Sequence, residues 1–299
     1  MHKEKLHTLE NICRAKDSTI SSVCSSTEFN CRRDVPVFFL ALDETELIGY
    51  LSVFLPEEST AELNVLIHPD YRRLGIFTEL LQRTKTALSF VGTKEFVFVC
   101  EPSSTDAATT MLAMKAEKRC SEYQMLLESS ANISSSFRNM MSDSDSYGTA
   151  KDSLKQTRSS FSGKLLEAIP DDLPLLGRMN ALFFETSEET GELFAEESYY
   201  TPGITVYKYV ITDENKKTVP IGTVCFCEED HSSNIFGLGI LPEYRRRGYG
   251  KDLLQALLAR IPANKRIYLQ VSSRNAAAFQ LYLQTGFKII AQQDFWLLP

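Results

Sequence analysis

Residues 63–81 read LNVLIHPDYRRLGIFTELL, and residues 236–254 read FGLGILPEYRRRGYGKDLL. The two stretches match without a gap, at a constant offset of 173, in eight or more positions. The matches include a proline, a tyrosine, two consecutive arginines and a glycine, which is Gly75 in the first stretch and Gly248 in the second. A match of this length in one register indicates two copies of one domain.

The length and composition fit two globular domains. The chain has 299 residues, of which 43% are hydrophobic and 24% charged, and domains of roughly 150 residues are common. The net charge of −7 argues against a broad basic surface for nucleic acid and against docking on anionic lipid. The longest apolar run, residues 35–42, cannot span a bilayer, and the N-terminus lacks the apolar core of a secretory signal. We therefore expect a cytoplasmic protein without a nucleic-acid or membrane partner.

The cysteines and histidines predict neither a disulfide framework nor a metal site. Seven cysteines, an odd number at irregular spacing, indicate reduced thiols in a cytosol. Cys225 and Cys227 share one face of a strand-like stretch, and two buried thiols are the simplest interpretation. The four histidines show no zinc-ligand spacing. We expect no metal.

The composition changes between the two copies. Residues 129–163 contain twelve serines and few large apolar side chains, which is typical of a linker. A short helix near Leu154 would fit within this segment. The sequence thus predicts a first domain at residues 1–128, a serine-rich linker at 129–163 and a second domain at 164–299.

Each copy has the same order of elements: a helical segment, an antiparallel hairpin, the repeated strand–loop–helix, and a strand–helix–strand ending. Antiparallel strands followed by strand–helix units predict an α+β domain with a mixed sheet. In the first copy the hairpin strands are predicted at 35–42 and 47–54. In the second copy the predictions are strands at 164–169, 204–212, 219–227, 234–241 and 266–271, helices at 170–184 and 275–285, and a closing strand pair at 288–298.

The loop between the repeated strand and helix has the composition of an anion site. In the second copy this loop consists of Arg245, Arg246, Arg247, Gly248, Tyr249 and Gly250. The first N–H groups of a helix have no partner within it, and the helix dipole favours negative charge there. Glycines let a phosphate approach the backbone, and arginines add positive charge. Arginines before a glycine turn also occur in solvated loops, but the strand before and the helix after favour the anion site.

This loop resembles the Arg/Gln-x-x-Gly-x-Gly/Ala signature of the GCN5-related N-acetyltransferases (GNAT), with Arg245, Gly248 and Gly250 at the defined positions. The second signature of that family follows at the expected distance as Asn275, Leu281-Tyr282 and Gly286-Phe287. The resemblance covers most of residues 164–299. It implies the mixed-sheet acyl-CoA N-acyltransferase fold and, with the repeat, two such domains in tandem.

The resemblance also implies a co-substrate and a reaction. The glycine loop would bind the pyrophosphate of acetyl-CoA, and the fourth strand would hold its pantetheine arm. A backbone N–H near Gly239 and Ile240 would stabilise the oxyanion that forms when an amine attacks the thioester. Asn275 is similar to the family residue that contacts the pantetheine arm, and Tyr282 matches the tyrosine that protonates the departing thiolate. Alternatively, and compatibly, Asn275 is a helix cap and Tyr282 a core aromatic.

The first copy departs from both signatures. Phe77 stands where the loop motif has glycine or alanine, and its side chain would either crowd the phosphate or turn into the core. At an offset of 169, Asp106 falls at the position of Asn275, and counting on by seven places Ala113 at the tyrosine position. Since no acid for the thiolate remains, we expect residues 1–128 to be a degenerate, non-catalytic copy. The loop could still bind a coenzyme.

The resemblance thus predicts an enzyme that transfers an acetyl group directly to an amine through its C-terminal domain. The acceptor, a small-molecule or peptide amine, stays unidentified, and the chain could be a monomer or a homodimer. The alternatives are a non-catalytic CoA-binding sensor or scaffold, and a tandem acyltransferase of the mycothiol-synthase type. Glu229 is one candidate base in a polar turn that is more often only solvated. Acidic residues from Glu185 to Glu197 could steer a cationic acceptor, but charged helix faces are usually solvated.

Overall fold

The computed structural model describes residues 3–23, 27, 29–128, 163–213, 215–230 and 232–299. The serine-rich linker up to residue 162, with the helix predicted near Leu154, lies outside the described residues. The helices and strands are, in chain order, α1 (Lys3–Asp17), β1 (Phe38–Asp43), β2 (Glu46–Glu57), β3 (Thr60–Ile67), α2 (Ile76–Leu88), β4 (Glu95–Cys100), α3 (Thr105–Ala113), β5 (Glu117–Leu127), β6 (Lys164–Glu167), α4 (Leu173–Phe184), α5 (Glu188–Tyr200), β7 (Ile204–Thr212), β8 (Thr218–Glu228), β9 (Ser232–Ile240), α6 (Tyr249–Leu258), β10 (Arg266–Ser272), α7 (Ala276–Thr285) and β11 (Lys288–Leu297).

The chain forms two compact units. The first unit comprises Met1–Tyr123, Ser272–Arg274 and Ala291–Pro299, and the second comprises Gln124–Val271 and Asn275–Ile290. Helices lie against mixed sheets of parallel and antiparallel strands in both units. The predicted α+β fold with a mixed sheet is therefore confirmed.

The first unit packs helices on both faces of its sheet. The strand order is β1-β2-β3-β4-β11-β5. On one face, the buried side chains of α1 contact Tyr50 of β2. On the other face, α2 buries Leu80, Leu81 and Leu88 against β2 and β3. Apolar residues three and four apart explain why α2 forms there, because they place one stripe of the helix on the sheet.

The last strand of the chain completes the first unit. Residues 294–297 of β11 pair antiparallel with residues 97–100 of β4. The sequence predicted a strand pair at 288–298, and this prediction is wrong, because residues 288–297 form one continuous strand without a turn. The domain limits at residues 128 and 164 stay a prediction.

The second unit repeats this plan. Its strand order is β5-β10-β9-β8-β7-β6. Leu176 and Met179 of α4 and Ala195 of α5 pack on one face of the sheet, against Val206 and Cys225. Leu253, Leu254, Leu257 and Leu258 of α6 form the predicted apolar stripe and are buried.

Both units contain two parallel strands that pair only at their beginnings. In the second unit, β9 and β10 pair from Ser232–Arg266 to Ile235–Leu269, although β9 runs on to Ile240. In the first unit, β3 and β4 pair only as far as Leu63–Phe98. Beyond these points the backbone groups on the facing edges lack their ladder partners. Each unit therefore offers a cleft at the end of a strand that leads into the repeated loop.

Candidate functional site

The repeated loop of the second unit has a backbone suited to an anion. A short 3-10 turn at Pro242–Tyr244 leads into the loop, and α6 begins at Tyr249. Gly248 has φ = 90° and is the N-cap of α6, without a capping side chain. Lys251 N and Asp252 N both donate to the Gly248 carbonyl oxygen at 3.1 Å, so the N–H of Gly250, which precedes them, is the one left for a ligand. A Cβ on Gly248 would meet no atom within 4 Å, so the space beside the loop is open.

The arginines of this loop have different roles. Arg245 Nε donates a hydrogen bond of 2.9 Å to the carbonyl oxygen of Ile240, which ties the loop to the end of β9. Arg246 has φ = 61°, an uncommon value outside glycine, and this bends the chain into the helix start. The guanidinium of Arg247 lies 5.8 Å from the ring centre of Tyr244. Arg246 and Arg247 are exposed, so both can reach a bound anion.

Tyr249 and Gly250 contribute to this site through their backbones. The Tyr249 side chain is buried and packs against the rings of Tyr209 and Tyr244. At Gly250 a Cβ would lie 3.7 Å from Leu281 and 3.9 Å from Ile240, which are ordinary contacts. Alanine is therefore tolerated at this position, whereas a longer side chain would have to pass Leu281 and Ile240 at the second residue of α6.

Strand β9 contains a bulge beside the cleft. Thr223 of β8 opposes Gly239, but Cys225 opposes Phe236, so β9 holds one more residue than β8 in this interval. Gly237 lies in the extra segment with φ = 61°. An extra residue leaves backbone groups unpaired and bends the strand. In the sequence, Gly237 is the one residue that could have indicated this bulge.

The bulge and the strand register identify the amide that faces the cleft. Leu241 N donates to the carbonyl oxygen of Ile221 across β8 at 2.8 Å. Because N–H groups alternate in direction along a strand, the N–H of Gly239 also points toward β8, and that of Ile240 points toward the diverging end of β10. Of the two predicted positions, Ile240 therefore has the amide that can donate to a ligand in the cleft.

Phe183, which the sequence did not single out, covers Gly239. A Cβ on Gly239 would lie 2.0 Å from the Phe183 ring, so only glycine permits this contact between α4 and β9. A Cβ on Gly237 would lie 3.2 Å from the Phe194 ring of α5. Two glycines on alternate positions of a strand could have signalled such close packing. Aromatic rings thus line the face of β9 that is opposite to α6.

Asn275 and Tyr282 lie at the start and in the middle of α7. Asn275 Oδ1 caps the helix by accepting a hydrogen bond of 3.0 Å from Ala278 N. Tyr282 is 6% exposed and packs against Phe287. Burial raises the pKa of Tyr282 to about 12, and its hydroxyl has no hydrogen-bond partner among the described residues. Asn275 is therefore a helix cap and Tyr282 a core aromatic. The Tyr282 phenol stays protonated at neutral pH, and its proton is not donated to another group of the described residues.

Glu229 is engaged in its own turn. Its carboxylate accepts hydrogen bonds from Ser232 Oγ at 2.6 Å and Asn234 Nδ2 at 3.2 Å. These contacts are typical of a polar turn between antiparallel strands. The geometry favours the solvated turn over a catalytic base.

The first unit retains the backbone of the loop. Arg73 has φ = 66° and Gly75 has φ = 84°, close to the values of their counterparts in the second unit. Phe77 turns into the core, where its ring lies 5.2 Å from that of Phe98. Of the two orientations expected for this side chain, the structure has the one that leaves the loop amides clear.

The first unit differs most at the start of α3. Its N-cap is Ser104, whose Oγ accepts a hydrogen bond from Ala107 N, so Ser104 is the structural counterpart of Asn275. The alignment of Asp106 with Asn275, at an offset of 169, is wrong by two residues: the two N-caps differ by 171, because the stretch from Gly75 to the start of β4 is two residues longer than the stretch from Gly248 to the start of β10. Counting seven residues from Ser104 leads to Met111, a buried core residue. The first unit again has no acid at this position.

The first unit also lacks the bulge. Strands β2 and β3 keep one register from Gly49–Ile67 to Phe54–Glu62. Asn64, at the position of Gly237, therefore lies in a regular stretch of strand. Within the described part of the chain, no group of three or more His, Cys, Asp or Glu could hold a metal ion, and no helix is long and apolar enough to cross a membrane.

These features coincide with the result of comparison with known families. The model of the acetyltransferase (GNAT) family matches residues 6–112 and 177–287. The chain therefore belongs to the GNAT family, with both copies recognised, and it is a tandem member. Members of this family are acyltransferases that generally use acetyl-CoA. Among curated proteins, none matches the chain.

Solved structures share the tandem fold at low identity. A GCN5-related N-acetyltransferase from Sphaerobacter thermophilus is 15% identical with a TM-score of 0.67, over 98% of this chain and 91% of that one. A tandem GNAT protein from the clavulanic acid biosynthesis pathway is also 15% identical, with a TM-score of 0.61, over 99% and 95%. A GNAT acetyltransferase from Colwellia psychrerythraea is 12% identical, with a TM-score of 0.57, over 100% and 98%. At these identities the similarity establishes the fold.

Proposed function

We propose that the chain is an N-acetyltransferase that transfers an acetyl group from acetyl-CoA directly to an amine, and that the second unit performs the reaction. The observation that carries this proposal is the bulge at Gly237 in β9. It adjoins an unpaired strand edge and an open glycine loop, and the first unit keeps the loop but not the bulge. Among the described residues, the second unit has this bulge together with the glycine loop and Tyr282, which supports assigning the reaction to it.

The proposed site holds the co-substrate through backbone groups. The Gly250 N–H in the first turn of α6, with Arg246 and Arg247 nearby, binds the pyrophosphate. The diverging edges of β9 and β10 accept the pantetheine arm. The Oδ1 atom of Asn275 caps α7, so its Nδ2 amide group is left to contact the arm. Arg245 holds the Ile240 carbonyl and thereby fixes the neighbouring amide.

Three groups of the chain serve the transfer. The Ile240 N–H donates to the thioester carbonyl oxygen, which becomes negative as the amine nitrogen forms a bond to the carbonyl carbon. Tyr282 gives its proton to the sulfur as the carbon–sulfur bond breaks, and it regains a proton from water. The amine loses its proton to solvent, since Glu229 is occupied in its turn. The products are an N-acetylated amine and free CoA.

The experiment is a thiol-release assay with acetyl-CoA and a panel of small-molecule and peptide amines. We expect amine-dependent release of CoA. Gly250→Glu places a negative charge at the second residue of α6 and should abolish release. Gly250→Ala is the matched control, because its Cβ makes only ordinary contacts, and it should retain most of the activity.

Each part of the proposal can fail separately. Release that Gly250→Glu leaves unchanged would place the reaction outside the second unit. If calorimetry detects no binding of acetyl-CoA to the folded protein, acetyl-CoA is not the acetyl donor. Binding without release for any amine would favour the sensor or scaffold alternative over the enzyme.

A further inference from the structure

The first turn of α6 is hydrogen-bonded to strand β7 in the second unit. The buried Tyr209 hydroxyl of β7 donates to the carboxylate of Asp252, which lies in the first turn of α6. The Tyr209 ring also packs edge-on against that of Tyr249, with 6.4 Å between the ring centres. Burial, together with the hydrogen bond to Asp252, raises the pKa of the Tyr209 phenol well above its ordinary value. The phenol therefore stays protonated at neutral pH and keeps this hydrogen bond.

Gly163 joins the contact from a third segment of the chain, directly before β6. Its N–H donates to the Tyr209 hydroxyl oxygen and to Oδ2 of Asp252, both at 3.1 Å, and this Oδ2 is the atom that accepts from Tyr209. A Cβ on Gly163 would lie 2.2 Å from the Tyr209 ring, so a side chain there would push these groups apart. Hydrogen bonds to a carboxylate are stronger than those between neutral groups. Gly163, Tyr209 and Asp252 thus form an anchor for the first turn of α6, the α6 anchor.

The described residues of the first copy lack this anchor. Glu79 of α2 stands at the position of Asp252, at the offset of 173. It pairs with Arg83 of its own helix, and both side chains are more than 60% exposed. The strand register places Ala41 of β1 at the position of Tyr209. Helix α2 thus packs on its sheet without an anchor, so the fold of the repeat does not require one.

The anchor lies in the turn that holds the ligand-binding amide. Gly250, whose N–H is left for a ligand, precedes Asp252 by two residues. A carboxylate close to a pyrophosphate would by its charge alone weaken binding, since like charges repel. Asp252 therefore has a reason to be there only if its contact with β7 offsets that repulsion.

We propose that Tyr209 and Asp252 are positioning residues of the co-substrate site, whose hydrogen bond fixes the first turn of α6 and with it the Gly250 N–H. The inference rests on the proposed function, which places the pyrophosphate of acetyl-CoA at this turn. Fixing a binding group in advance raises affinity, because only molecules with the group in place can bind. Both residues act through the helix backbone, and neither takes part in bond making.

Tyr209→Phe removes the donor and keeps the ring that packs against Tyr249. We expect the Kd for acetyl-CoA, measured by calorimetry on the full chain, to rise about threefold to fivefold, which corresponds to a turn in place in about a third to a fifth of the molecules. KM should rise by the same factor, and kcat at saturating acetyl-CoA should stay within about twofold of wild type. In the free protein, the amides of Lys251 and Asp252 should lose most of their protection from hydrogen exchange.

Two variants of Asp252 test whether the contact or the charge matters. Asp252→Asn keeps an oxygen that can accept from Tyr209 and Gly163, so its Kd should lie within about twofold of wild type. Asp252→Ala should match Tyr209→Phe, and the double variant should be no weaker than either, because all three remove one contact. Asp172→Asn is the control for lost stability, since Asp172 pairs at 2.7 Å with Lys208, the neighbour of Tyr209 in β7; its Kd should be that of wild type.

Three results would overturn the proposal: an unchanged Kd or unchanged exchange in Tyr209→Phe, an equal rise of Kd in Asp172→Asn, or an equal rise in Asp252→Asn and Asp252→Ala. The second would indicate a general loss of stability, and the third an effect of charge. The exchange measurement needs no ligand and separates this proposal from the proposed function. If the wild-type chain binds no acetyl-CoA, the proposed function fails, whereas exchange in Tyr209→Phe still decides whether the anchor fixes the first turn of α6.

Discussion

Tyr282→Phe removes one hydroxyl from α7 and tests whether Tyr282 is an acid or a core aromatic. The ring that packs on Phe287 is retained, and the lost hydroxyl has no hydrogen-bond partner among the described residues. Replacing an unbonded hydroxyl should change the free energy of unfolding by less than about 0.5 kcal/mol. The variant therefore separates catalysis from folding.

The ease of the proton transfer depends on the pKa of Tyr282 relative to that of the departing thiol. Burial raises the pKa of Tyr282 to about 12. A thiolate in water, with a pKa near roughly 8.5, would be a poor acceptor for that proton. Burial raises thiol pKa values as well, however, and it brings Cys13 and Cys100 to about 11. Burial of a released thiolate in the cleft would shift its pKa in the same direction, toward that of Tyr282.

We expect kcat to fall about 100-fold to 10,000-fold in Tyr282→Phe, the usual contribution of general acid catalysis. The binding of acetyl-CoA by calorimetry should be unchanged. In the wild type, kcat should not decline between about pH 7 and pH 10 through loss of the Tyr282 proton, because the pKa of about 12 lies above that window. A Tyr282→Phe variant within threefold of wild-type kcat would refute the acid role and leave Tyr282 as a core aromatic.

Three further predictions concern stability. Gly239→Val should destabilise the second unit by about 1–3 kcal/mol in thermal unfolding, because its Cβ would lie 2.0 Å from the Phe183 ring. Gly250→Ala, whose Cβ makes ordinary contacts, should leave the stability unchanged. Equal destabilisation by both variants would contradict the close contact between Gly239 and Phe183. Asp17→Asn should lower the free energy of unfolding by about 1–3 kcal/mol, since it removes the charge of the more buried of the two carboxylates that pair with Arg72. Urea unfolding measures this change, and Asp106→Asn, the control at the more exposed carboxylate, should have the smaller effect. Burial and the neighbouring Glu122 raise the pKa of Glu62 to about 7. The folded state therefore holds this proton more tightly than the unfolded state, and the free energy of unfolding should fall as the pH rises from about 4.5 to 7. Glu62→Gln should remove up to about 3 kcal/mol of that pH dependence; urea unfolding at pH 5 and pH 8 checks this, and the same pH dependence in variant and wild type would exclude the role of Glu62.

The sequence predicted the elements that local pattern determines. The loop from Arg245 to Gly250 and the helix cap at Asn275 are local features, since glycine conformations and capping depend on few neighbours. Register is not local: the bulge in β9 depends on how β8 pairs with it. The contact between the Phe183 ring and Gly239 depends on how α4 packs on β9, and the spacing of residues along the chain does not predict that packing. Asp106 was likewise misplaced by two residues, because the length of the stretch between the repeated loop and β4 is not determined by the loop motif.

The two copies share the direction of one amide and differ in the strand that leads to it. His68 N donates to the Ile48 carbonyl oxygen at 2.9 Å, as Leu241 N does to that of Ile221, so the N–H groups of Ile67 and Ile240 both point away from the hairpin partner strand. The strand before Ile240 is bulged at Gly237 and bends there, whereas Asn64, at the same position of the repeat, lies in a regular stretch. If the second unit transfers the acetyl group as proposed, this bend sets the position of the Ile240 amide relative to the thioester. On this reasoning Gly237→Asn should lower the rate of acetyl transfer, while the binding of acetyl-CoA, which depends on the loop of α6, persists.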